Sequence, residues 1–235
     1  MSEDLVDLSA AFSRTMKRLR AELLGSAEDG ERSGDGARLA AASFRGDLAA
    51  AQIHDLQSTE RRTAFWINIY NACASLSLVE LGIRGSILLR ADFFIRTAIE
   101  VGGLGFSLDA IEHGVLRGNR HPRAWPLRPF GRTDPRRELA LPAPDPRLSF
   151  ALNKGAASSP ALRIFAAGDL EDELNDAELA FALKHFHADP ERRAILCSRL
   201  YDWSRTDIGE RWLGDPAYRG WKVSHEVFDW RAAPG

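Results

Sequence analysis

The stretch that most restricts the fold begins at Ser58 and reads STERRTAFWINIYNACASLSLVELGI. From Ala64 to Leu81, apolar side chains fall on almost every side of a helix. A surface helix needs only one apolar stripe, so a helix apolar all round is the buried centre of a domain. The run is interrupted by Asn68 and Asn71 and falls short of the roughly 20 apolar residues that cross a bilayer. Ser58, followed by Glu60 and Arg61, reads as its N-cap and first turn, and Gly82 as its stop. A chain of 235 residues has enough length to wrap one large domain around such a helix.

The flanking segments suggest what does the wrapping. Leu5, Leu8, Phe12, Met16, Leu19 and Leu23 recur at helical spacing, which predicts an N-terminal helical arm over residues 1–24. GSAEDGERSGDGA then reads as a flexible linker over 25–37, leaving a main domain over 38–235. Thr97–Val101, Gly102-Gly103 and Leu104–Phe106 predict a hairpin, and Ser107 caps a helix from Leu108 to about Arg117. A helix from Leu170 to about His187, a strand at Ala194–Cys197 and a tail bearing Trp212, Trp221 and Trp230 follow. The expected fold is α+β: a helix-dominated single domain with a small antiparallel sheet, plus the N-terminal helix.

Composition narrows the function classes. With 31 Lys+Arg against 33 Asp+Glu, no global charge draws nucleic acid or anionic lipid, and no membrane association is expected. Cys73 and Cys197 cannot form a disulfide scaffold, and together with an acidic, helix-like N-terminus they suit a cytoplasmic protein. His185 and His187 point to different faces of a helix and have no partners at ligand spacing, so no metal and no cofactor is expected. Seven of the eleven prolines lie between Pro122 and Pro146, beside arginines at 117, 120, 123, 128, 132, 136 and 137. A Pro-rich surface loop is the reading taken; an anion-binding loop is its alternative, without the aromatic interleaving that nucleic-acid binding would add.

Three segments carry chemistry-bearing side chains. Asn68 and Asn71 share a helix face as candidate binding residues, although buried amides also commonly bond a neighbouring backbone. Glu112 and His113 follow one another in SLDAIEHG, so they point about 100° apart on a helix, and an imidazole suits acid–base work. The run DPRLSFALNKGAASSP, residues 145–160, alternates and then turns through small residues, as a strand leading into a tight loop would.

In this order the segments resemble the family catalogued as domain of unknown function 547. Its members tend to carry A-F-W-I-N-x-Y-N-A, S-L-D-x-I-E-H-G-x-L-R, D-P-R-x-H-F-A-L-x-C-G-A-x-S-C-P and a later x-S-R-x-x-x-W-Y. Here those positions are Ala64–Ala72, Ser107–Arg117, Asp145–Pro160 and Cys197–Trp203. The resemblance implies a papain- or transglutaminase-like fold and thiol chemistry, a thiolate beside an imidazole being an activated nucleophile. The residues that chemistry needs have changed: the motif histidine is Ser149, the first cysteine is Lys154 and the second is Ser159. Glu112, His113, Asp145, Arg147, Asn71 and Trp203 match.

The expectation is a member that has lost thiol-hydrolase chemistry and binds a small molecule, a peptide or, through its N-terminal helix, a protein partner. The alternative is a hydrolase or acyl-transfer enzyme with a rebuilt site of Glu112, His113, Lys154 and Ser159. Asn68, Asn71, Arg147, Ser149, Ser158 and Trp203 are the candidate binding residues in either case.

Overall fold

The computed structural model describes residues 4–25, 30–90, 92–96, 98–121, 127–209 and 211–234, with side chains omitted over 30–38 and at 23, 25, 40 and 98. Its helix-dominated α+β architecture is built around the helix α3 (Thr59–Glu80), in which Thr63 to Leu78 are all buried. Ser58 caps it, its hydroxyl accepting from Arg61 N, and Gly82 ends it at φ +59°. The two asparagines fasten this helix to neighbouring loops. Asn68 exchanges two hydrogen bonds with the Phe165 backbone, and Asn71 donates to Ala151 O and accepts from Asn153 N.

α1 (Leu5–Gly25) lies along α3 with Phe12 and Met16 fully buried, so it packs as a wall of the main core. Its Arg20 is buried too. The guanidinium donates to Ala233 O at 2.6 Å, Asn153 Oδ1 at 2.8 Å and Gly155 O at 3.1 Å. Backbone 30–37 is helical within α2 (Gly30–Ala49), and residues 26–29 lie outside the described residues. Extending a helix adds one bond per residue without a new nucleus, so the helix formers of 38–49 carry a Gly/Ser-rich stretch with them.

β1 (Ala98–Val101) and β2 (Leu104–Ser107) form the hairpin, turning on Gly102 and Gly103, both at positive φ. Ser107 Oγ then accepts from Ala110 N, and the segment that follows is a π-helix, Ala110–Leu116, where α-helical spacing was expected. Arg117 N bonds Glu112 O and Asn119 N bonds Gly114 O, each five residues back. At Gly114 an added Cβ would lie 2.3 Å from the buried Phe130 ring. Gly114→Ala is therefore expected to lower unfolding free energy by about 1–3 kcal/mol in urea titrations. A loss under about 0.5 kcal/mol, the surface-substitution range, would mean that Phe130 gives way freely.

Leu148–Ala151 is one helical turn (α4), not the expected strand: Leu148, Ala151 and Leu152 also fit i, i+3, i+4 spacing, and burying all three decides it. α5 (Leu170–His185) leads into a mixed sheet in which β4 (Ala194–Cys197) pairs antiparallel with β3 (Phe186–Asp189) and parallel with β5 (Lys222–His225). A second core of Phe150, Phe181, Ile195, Leu200 and Tyr201 lies beneath it.

The segment after β5 returns across the body. Trp230 O accepts from Ile87 N, Arg231 O from Ala157 N, and Ala232 N donates to Gly85 O. Among the described residues no helix is long and apolar enough to cross a membrane.

Candidate functional site

The π-helix, the loop after α4 and the segments carrying Trp203 and Trp230 line an open cavity of about 520 Å³. Its polar side is Asp109, Glu112, His113 and Arg117 from one helix, with Ser149 and Lys154 opposite. The rest is mainly apolar: Phe94, Leu200, Trp203 and Trp230, with Ser204. Trp203 and Trp230 are 5.8 Å apart between ring centres, and Phe94 meets Trp230 edge-on at 6.4 Å.

Lys154 occupies the floor. Its ammonium contacts the Glu112 carboxylate, which also accepts from the Tyr70 hydroxyl at 3.1 Å, and it sits 5.7 Å from the centre of the Tyr70 ring. Burial alone would raise the Glu112 carboxyl; the adjacent Lys154 charge overrides it and brings Glu112 down to about 2. Lys154 and Glu112 thus neutralise one another.

His113 is restricted differently. Burial is the main cause that pulls it down to about 4, so the ring is neutral at pH 7. Arg117 Nη1 donates to its Nδ1 at 2.9 Å. A guanidinium has no acceptor, so Nδ1 holds the lone pair and the ring proton resides on Nε2. Arg117 is itself tied to Asp207 at 2.5 Å, and Arg120 meets the same carboxylate at 3.2 Å. Asp109, at the start of the helix, is raised to about 6, chiefly by burial and then by the charge of Glu112.

The structure brings Glu112, His113, Lys154, Ser149 and Trp203 to one cavity and places the other candidates elsewhere. Gly155 turns the loop at φ +85°. Beyond it, Ser159 faces a separate cavity of about 440 Å³, where its hydroxyl accepts from Ala156 N. Ser158 accepts from Asp229 N and holds the returning segment. Asn68 and Asn71 are fully buried and committed to backbone, and Arg147 is clamped by Asp145, Glu171 and Asn175. These five lie outside the cavity that holds Glu112, His113 and Lys154. Burial pushes the Cys73 thiol up to about 12 and Cys197 to about 11, away from the thiolate form. That holds for Cys197 even with its sulfur 3.6 Å from His225 Nδ1.

Sequence reasoning missed Asp109, Arg117, Phe94, Leu200, Ser204 and Trp230. Asp109 and Arg117 stand within the SLDAIEHG segment and its extension, at spacings that put them on the side of Glu112 and His113, so the signal was there to read. Nothing local marks Trp230, which reaches the cavity only because the chain doubles back.

A family model described as "Protein of unknown function, DUF547" matches residues 53–182, more than half of the chain. No curated protein and no solved structure matches. The polar side of the cavity lies inside the matched region, whereas Leu200, Trp203, Ser204 and Trp230 lie beyond it.

Proposed function

The chain belongs to the DUF547 family, and from that premise we propose that it is a non-catalytic binding protein whose cavity receives a small molecule. One observation carries the reading. Arg117 donates to His113 Nδ1 while Nε2 bears the proton, so the imidazole has no free lone pair with which to deprotonate a nucleophile. His113 is instead a hydrogen-bond donor for an acceptor on the ligand.

Supporting observations point the same way. Lys154, standing where the resemblance puts a cysteine, spends its charge on Glu112 instead of acting as a free base. Ser159, the serine of the alternative hydrolase, lines a different cavity. The apolar face of α1 is used inside the core, so the cavity is a better candidate binding surface than that helix. An aromatic wall beside a few convergent polar groups is the usual make-up of a small-molecule site.

Intact-mass measurement after treatment with a fluorophosphonate probe tests this. The expected outcome is no adduct on Ser149 or Ser204, together with ester hydrolysis no faster in the parent than in Ser149→Ala. A Ser149 adduct, or turnover that Ser149→Ala abolishes, would overturn the reading.

A further inference from the structure

The charged groups around the cavity are not all paired in contact. Lys154 is in contact with Glu112, Arg117 and Arg120 share Asp207, and His113 is neutral. Asp109 is left over: among the described residues its carboxylate has no hydrogen-bond donor and no ion-pair partner. The groups that act on it are Glu112, which repels its charge, and Lys154, whose charge Glu112 already answers; His113 and Arg117 complete that side.

Ionised Asp109 works against the fold. Its carboxyl is raised from 3.8 to about 6, so the stability it contributes at low pH is lost as pH rises through 6. Beyond it stand the rings of Trp203, Trp230 and Phe94, whose π faces attract positive charge. A carboxylate without a contact partner beside an aromatic wall is complementary to one kind of occupant. A carboxylate ligand would meet the Asp109 charge, and an uncharged apolar one would leave Asp109 half-buried without a contact counter-charge.

Resting on the binding reading above, we propose that the cavity takes a small organic ammonium, quaternary or a protonated amine, with its charge toward Asp109 and its alkyl groups against Trp203, Trp230 and Phe94. The polar side and the aromatic wall each supply half of the recognition, and of the wall only Phe94 lies in the family-matched region.

Three soluble probes of one shape separate the possibilities: choline, its uncharged tert-butyl analogue with carbon in place of nitrogen, and the corresponding tert-butyl carboxylate. Binding is read by calorimetry and by tryptophan emission in the full chain. Choline is expected to bind at least tenfold more tightly than the uncharged analogue, with affinity rising from pH 5 to pH 7 as Asp109 ionises. Asp109→Asn should erase that preference and flatten the pH profile, while melting higher than the parent at pH 7, which shows that it folds. Equal binding of choline and its uncharged analogue, or tighter binding of the carboxylate, overturns the ammonium assignment and leaves the binding reading standing. Silence from all three probes in both readouts overturns the assignment too. The binding reading itself then falls if a chemically mixed small-molecule library also leaves the Trp203 and Trp230 emission unmoved.

Discussion

Lys154→Met is expected to be the most damaging single change in the cavity, lowering unfolding free energy by about 3–5 kcal/mol. The substitution keeps the bulk of the side chain and removes the charge that answers a buried carboxylate. For a chain of this length that is a fall of roughly 10 °C in Tm. The double variant Lys154→Met/Glu112→Gln removes both charges and should recover most of the loss, and that recovery identifies the pair as the cause. The pH dependence follows from the direction of the Glu112 shift. Its carboxyl is depressed in the fold, so its contribution is complete above about pH 4.5 and disappears as pH falls toward 2. Without Lys154 the carboxyl shifts upward, and the gap between variant and parent should narrow in acid. A Lys154→Met protein that melts within a degree or two of the parent at pH 7 would show that Glu112 has other compensation.

The second large effect belongs to Arg20, whose buried guanidinium has three carbonyl-type acceptors and no carboxylate partner among them. Burial draws it down to about 10, which leaves it charged at neutral pH. Arg20→Met strands all three acceptors at about 1–3 kcal/mol each, offset in part by relief from burying a charge. A net loss of about 2–4 kcal/mol is expected, measured by urea unfolding. The diagnostic readout is local. Hydrogen exchange should quicken at Ala233 and Gly155, whose amides bond Gly155 O and Asn153 Oδ1, before the rest of the molecule responds. Uniform exchange across the molecule would instead assign Arg20 a purely global role.

What could be read from the sequence was what local chemistry decides. The buried α3 followed from an apolar run with no polar face, and the hairpin from Gly102-Gly103, because only a tight turn at positive φ needs such a pair. Glu112, His113 and Lys154 were legible as a group through their motif segments, and the structure places all three on one cavity. The errors came where neighbours decide. Residues 148–151 satisfy a strand's alternation and a helix turn equally, and packing chose the turn. Ser159 is only five residues from Lys154, yet the left-handed Gly155 sends the two to different cavities. That Asp109 lacks a contact partner depends on how every other charge in the cavity is paired.

The returning segment has a consequence for the order in which the molecule is made. The polar side of the cavity and α3 leave the ribosome well before Trp230, and the bonds from Ile87, Ala157 and Gly85 that seat residues 230–232 form only afterwards. A nascent chain interrupted before residue 228 would carry the family-matched region and its charged floor, open to water and without the second indole. The aromatic wall of the cavity is thereby completed only in chains synthesised through that segment.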